Sequence, residues 1–211
     1  TKALGGYLNA ATIYDHTYYY TVVPSKNLIP AIDIQADALM HPLFDPAELE
    51  KEKEVIIEEL KRKYDNPNPY AWEKLLELAF EKHRIRRWRM GKEENIRSFT
   101  RDDVSGFYER FYTPPNGIVV VVGDFESEAV FAEIERRYGE MKGKLPQRDP
   151  SPPEPLQTQP KMSRLVGDIV QPLLKVGFHA PPVEHPDYYP MIALSILLGR
   201  GRSSRLYRSL K

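Results

Sequence analysis

The sequence predicts an α+β fold, an antiparallel sheet covered by helices, and three observations predict it. Residues Tyr7 to Val23 are β-branched or aromatic almost throughout and break only at Tyr14-Asp15-His16, the pattern of two antiparallel strands joined by a tight turn. Several segments with apolar residues at helical spacing follow, most with a capping signal of their own. Apolar residues make up 41% of the 211, enough to bury a core in one large domain, or in one domain and part of another.

The elements read in order as follows. After the hairpin a helix runs from about Asn27 to Met40, with Pro30 tolerated in its first turn and Ile29, Ile32, Ala36 and Leu39 on one stripe. Asp45 caps the next helix, Pro46 takes its first position and Glu48 completes a capping-box pattern, with the helix ending near Tyr64. Asp65 to Pro69 breaks the chain, and Tyr70 to Lys82 forms another helix with Leu75, Leu76, Ala79 and Phe80 buried. An arginine-rich loop spans Arg84 to Arg89. Thr100 with Asp103 caps a helix to about Tyr112, Ile118 to Val122 reads as a short apolar strand, and Ser127 caps a helix ending near Tyr138. Six prolines between Gly143 and Lys161 mark an extended linker. Beyond it come a strand pair, Leu165 to Val170 and Leu173 to Phe178, a helix from about Pro186 to Leu198, and helix-forming sequence from Ser203 to Lys211. The expected organisation is a first domain over 1–142, a linker over 143–161 and the start of a second over 162–211. Both ends of the sequence read as cuts through a longer protein.

Composition excludes several function classes. Thirty basic residues balance thirty acidic ones, so no net field favours nucleic acid or an anionic membrane surface. The lack of cysteine removes disulfides, thiolate catalysis and thiolate-bound zinc. It suits cytoplasm and periplasm equally. No stretch reaches the roughly 18 apolar residues of a membrane span.

Chemistry has to be sought in side-chain patterns. Along the helix that starts at Asp45, steps of four, three and four residues put Glu48, Glu52, Val55 and Glu59 on one stripe, beside a core stripe of Leu49, Ile56 and Leu60. Glu52 and Glu59 are two turns apart, roughly 10 Å. Spacing alone allows a solvated acidic face or a metal or acid-base pair. None of the five histidines, His16, His41, His83, His179 and His185, lies in H-E-x-x-H or H-x-x-E-H. His16 reads as a solvated turn residue, and His83 suits a helix C-terminus. Arg84 to Arg89 reads as a solvated loop or as a site for phosphate or an acidic peptide. Gly199 to Ser204 is explained by a helix end followed by a serine cap, since it follows no strand and lacks the lysine of a phosphate loop.

Gly5-Gly6-Tyr7-Leu8-Asn9-Ala10-Ala11-Thr12, followed by Asp15-His16-Thr17-Tyr18-Tyr19-Tyr20, resembles the hairpin of the insulinase-like (pitrilysin-type, M16) zinc metallopeptidases, among them mitochondrial processing peptidase and bacterial zinc proteases. Glu52 to Glu59 matches that family's E-x(6)-E helix. Phe107 to Asn116, Val119 to Asp124 and Leu197 to Leu206 continue the likeness over almost the whole chain. The Arg84 to Arg89 loop departs from it, lacking the usual His-Pro-Tyr type of sequence.

The resemblance implies a zinc endopeptidase built from two similar domains. It makes Glu59 a zinc ligand and Glu52 the carboxylate that orients a ligand histidine. The two histidines and the general-base glutamate of H-x-x-E-H are expected upstream of Thr1, so residues 1–211 contain no catalytic residue and are expected to bind Zn²⁺ weakly and cleave nothing alone. A substrate-holding arginine falls at Lys211, and a tyrosine lies past it. Substrate peptide is expected to add as a strand along Leu8, Asn9, Ala10, Ala11 and Thr12, with Asn9 and Ala10 nearest the scissile bond. A second domain or partner subunit of the same family is the expected protein partner. Two alternatives stay open, a non-catalytic partner or scaffold of the same fold and a metal-free peptide-binding module.

Overall fold

Two glycines set the entry to the hairpin. Gly5 has a φ of 69°, and a Cβ on Gly6 would lie 2.2 Å from the carbonyl oxygen of Val22, so the two chain segments meet only where no side chain intervenes. In this computed structural model, which describes residues 1–148, 150 and 152–211, strands β1 (Tyr7–Thr12) and β2 (Thr17–Val22) then pair antiparallel from Tyr7↔Val22 to Thr12↔Thr17. The Ile13 amide donates to the His16 carbonyl at 3.0 Å and closes the turn. Strand alternation puts Leu8, Ala10, Tyr19 and Thr21 on one face and Tyr7, Asn9, Tyr18 and Tyr20 on the other.

The first face rests on helices. Helix α1 (Leu28–Met40) presents Gln35, whose amide nitrogen donates to the Tyr19 carbonyl at 3.1 Å. Helix α2 (Pro46–Asp65) is started by Asp45, which accepts from the amides of Ala47 and Glu48 at 2.9 and 3.0 Å. Glu48 does not reach back to complete the expected box. Its carboxylate accepts from Lys51 instead, a partner one turn along the same helix. Ile57 and Leu60 of α2 pack on Ile96 of helix α4 (Glu93–Ser98), with Ile56, Tyr64 and Met90 around them. The core stripe is thus Lys53, Ile57 and Leu60; of the expected Leu49, Ile56 and Leu60 only Leu60 is buried, while Leu49 and Ile56 are half-buried beside it. Lys53 tolerates that place because its stem is covered while its ammonium reaches Glu50 at 2.7 Å.

Helix α3 spans Pro67–Ala79, three residues earlier at both ends than the sequence suggests. Asn66 accepts from the Asn68 amide and Pro67 takes the first helical position, so the prolines that look like a break open the helix. Helix α4 has no forecast in the sequence reading; it is six residues long with no side-chain cap. Helix α5 (Arg101–Phe111) carries the expected reciprocal box between Thr100 and Asp103. Helix α6 (Ser127–Tyr138) packs on α1 and holds it by an Arg137 to Asp33 ion pair, but its cap position is Glu126 and Ser127 makes no capping bond. Helices α7 (Tyr188–Gly199) and α8 (Arg205–Leu210) close the chain, with Ser204 at the cap position of α8 and no capping bond there.

Three expected strands do not form. Ile118 to Val122 pairs with nothing among the described residues, and its Ile118 and Val122 are each 91% exposed. Leu165 to Val170 and Leu173 to Phe178 are likewise unpaired, with Val166, Val170 and Phe178 in the open. A strand needs a neighbour to satisfy its backbone, and the described residues offer these segments none. The fold is therefore rich in helix, with one small two-stranded antiparallel sheet. Among the described residues no helix is long and apolar enough to cross a membrane.

Candidate zinc-ligand helix and peptide edge

Six glutamates stud α2, and ion pairing sorts them. Glu48 pairs with Lys51 at 2.7 Å, Glu50 with Lys53 at 2.7 Å, Glu54 with Arg97 of α4 at 2.6 Å and Glu58 with Lys61 at 2.9 Å. Lys61 holds the Glu58 carboxyl below its ordinary value by hydrogen bond and charge. Glu52 and Glu59 are exposed and, among the described residues, have no hydrogen-bond or ion-pair partner. They are the two positions of the E-x(6)-E pattern. Both stand roughly a third of a turn round the helix from the Ile57 and Leu60 stripe. The elements packed most closely on α2 are α3 and α4, and the pair flanks the face they cover.

The cations that helical spacing offers Glu59 go elsewhere. Arg62 donates to the Glu58 carbonyl at 3.3 Å, and Lys63 is bound to Glu73 of α3. Glu73 is 3% exposed, and its second carboxylate oxygen is buried without a partner. Burial first, then the Glu73 charge, pushes the neighbouring Tyr64 phenol up to about 12. This pair escaped the sequence reading, although Glu73 sits three residues before Leu76 on the buried face of its helix, a spacing that marks a charge in need of a partner.

One free carboxylate, or two, does not make a zinc site. An open catalytic centre takes three protein ligands, and no group of three or more His, Asp or Glu able to hold a metal occurs among the described residues. Among the described residues, Glu52 and Glu59 are the glutamates of α2 that stand free, and no further His, Asp or Glu joins them in a metal-holding group.

The hairpin provides an exposed strand and two hollows. Leu8, Asn9, Ala10 and Thr12 are exposed and Ala11 partly so, and the Asn9 side chain accepts from the Ala10 amide at 2.8 Å. A cavity of about 440 Å³ lies under Leu8 and Tyr19, walled by Leu39, Phe44, Phe107 and Tyr108. At the other end Ile13, Tyr14 and Asp15 face His83, Arg84 and Ile85 across a groove of about 290 Å³. Trp72 of α3 donates to the Tyr14 hydroxyl at 3.3 Å and holds the hairpin tip there. His16 is exposed and bonds Asp15 at 2.9 Å, as a solvated turn residue does. His83 caps a 3-10 turn, Arg84–Arg86, by accepting from the Ile85 amide. That turn is how the arginine-rich segment folds.

A cradle beside that groove also escaped the sequence reading. The amides of Glu81, Lys82 and His83 all donate to the Glu154 carboxylate, at 2.5 to 2.9 Å. Desolvation pushes the Glu154 carboxyl up, but the amide bonds and the charge of His179 outweigh it and hold the group at about 2. Lys161 pairs with Glu81, and His179 stacks on Phe80 with ring centroids 4.7 Å apart. The segment read as a linker is thereby fastened to the end of α3.

Comparison with known proteins places this arrangement. The family model described as Insulinase (Peptidase family M16) matches residues 1–93, and the model described as Peptidase M16 inactive domain matches residues 98–211. An uncharacterized zinc protease of Bacillus subtilis (strain 168), YmxG, is 31% identical over 208 residues, 99% of this chain and 50% of that protein. Zinc protease PqqE of Helicobacter pylori is 29% identical over 216 residues, 99% of this chain and 48% of that protein. The crystal structure of a protease from Helicobacter pylori superposes with a TM-score of 0.83 at 28% identity, covering 99% of this chain and 51% of that one. The chain spans about half the length of the curated relatives it matches. With both family models aligned end to end along it, the chain belongs to the M16, or insulinase, family of peptidases.

Proposed function

We propose that this chain contributes a zinc ligand, Glu59, an orienting carboxylate, Glu52, and a peptide-aligning edge, Leu8 to Thr12, to a zinc-dependent endopeptidase that acts on extended peptides. One observation carries the proposal: of the six glutamates on α2, the two left without a cation are the two that the family pattern assigns to the metal. Glu59 is left free although Arg62 and Lys63 stand at helical spacing from it, where a merely solvated acidic face would pair it. Glu52 has no cation at that spacing, its neighbours there being Glu48, Leu49, Val55 and Ile56. In the proposal the remaining ligands are two imidazoles from outside residues 1–211. The bound metal supplies Lewis-acid activation of water and of the scissile carbonyl. The chain's own part is to hold one carboxylate in place and to lay substrate backbone along β1, which reads backbone and gives loose sequence preference. Residues 1–142, 143–161 and 162–211 act in this reading as a first domain, a linker and the start of a second domain.

A non-catalytic partner or scaffold of the same fold is the second reading, favoured by the description of the model that matches residues 98–211 as an inactive domain. Peptide hydrolysis by the whole protein decides between them. Activity lost on chelation, restored by zinc and absent from Glu59→Gln supports the enzyme. Peptide binding without turnover, unaffected by chelation, supports the scaffold.

A further inference from the structure

Among the α2 glutamates, Glu59 alone has both an arginine at i+3 and a lysine at i+4 and yet pairs with neither. A glutamate four residues before a lysine is the favoured order for a helical ion pair, and Lys63 lies on the same flank of α2 as Glu59. Lys63 nevertheless turns to α3, where Glu73 meets it in a site that leaves the lysine side chain only 16% exposed. The second oxygen of Glu73 is buried with no donor, so Lys63 is the group that compensates this carboxylate, and each holds the other in place.

We propose that Glu73 is a positioning residue, holding Lys63 on α3 and so keeping the Glu59 carboxylate free to bind a metal; this rests on the reading of Glu59 as a zinc ligand. Without the Glu73 charge, the nearest carboxylate at helical spacing to Lys63 is Glu59. A Lys63 ammonium on Glu59 competes with the metal for the same oxygens.

The test is zinc affinity, by competition with a chelating dye, for the whole protein and its Glu73→Gln, Glu73→Asp, Lys63→Met and Glu73→Gln/Lys63→Met variants, together with a metal-free structure of Glu73→Gln. Expected is a loss of about twofold or more for Glu73→Gln, the scale of a helical ion pair, with Lys63 seated on Glu59 in that structure. Glu73→Asp, which keeps the charge and shortens the reach, loses less. Lys63→Met alone keeps wild-type affinity, and adding it to Glu73→Gln restores affinity. A merely structural Glu73 lowers thermal stability while zinc affinity stays at the wild-type value, or gives a loss that Lys63→Met does not restore; either result overturns the inference. Glu59→Gln separates the two claims. If it leaves zinc affinity unchanged, the ligand reading falls and the inference with it. If it abolishes binding while Glu73→Gln has no effect, the inference alone falls.

Discussion

The phenol oxygens of Tyr19 and Tyr112 lie 2.6 Å apart and join β2 to the end of α5. Burial first, then the bond to Tyr19, pushes the Tyr112 phenol well above its ordinary value of 10, so Tyr112 keeps its proton across physiological pH. Tyr112→Phe removes this tie while keeping the ring contact, whose centroids are 6.3 Å apart. The expected cost is about 1 kcal/mol in urea unfolding, because Tyr19 is exposed and water takes the vacated place. Amide exchange should quicken in β1 and β2 before it quickens in α2.

The support of the glutamate helix is its packing on α4. Ile57 is fully buried against Leu60 and Ile96, so Ile57→Ala is expected to cost about 2 to 5 kcal/mol through lost burial and the cavity left behind. Val55 is 54% exposed on the opposite side, and Val55→Ala should stay within about 0.5 kcal/mol. Thermal unfolding of the two variants checks the contrast.

Helix α5 depends on pH through its cap. The Thr100 hydroxyl and then the Thr100 amide, both donating to the Asp103 carboxylate, hold its carboxyl below the ordinary 3.8. A folded value below the unfolded one means that the stabilisation is fully present above about 3.8 and fades as pH falls through the lower folded value. Amide exchange in the first turn of α5, corrected for intrinsic rates, should be flat above that pH and accelerate below it. Asp103→Asn should exchange faster throughout and lose most of the pH step.

Glu154 predicts a local effect far away in sequence. Glu154→Ala should speed exchange at the amides of Glu81, Lys82 and His83, and open residues 143–161 to trypsin, with the α2 core unaffected. Acetate, at matched ionic strength, should restore part of the protection by entering the cradle.

Local chemistry decided which features were legible in the sequence. The hairpin showed through its β-branched and aromatic run, α2 through Asp45 and Pro46, and α5 through its capping box, all set by neighbours within four residues. The Glu52 and Glu59 pattern and the pairs of Glu48, Glu50 and Glu58 with lysines three residues on are visible as spacing, but the pairing of Glu54 and the freedom of Glu59 are not, because they depend on Arg97 of α4 and Glu73 of α3. The start of α3 was misplaced because proline serves equally to end one helix and to open the next. Ile118 to Val122 has the composition of a strand, and composition does not supply the neighbour that a strand requires. Glu154 reaches its cradle across 71 residues, a separation that no local pattern reports.

Zinc affinity of the whole protein, measured for Glu59→Gln, Glu52→Gln and Glu48→Gln, tests the central claim most directly. Glu59→Gln keeps shape and one oxygen but loses the ligand's charge, so binding should collapse while the fold survives, as the side chain is exposed. Glu52→Gln should lose on the order of 10 to 100-fold, the range for a group that orients a ligand. Glu48→Gln, on the same stripe but already paired with Lys51, should be nearly neutral. Equal and small effects at all three positions would make the stripe a solvated helix face and contradict the assignment of Glu59 to the metal.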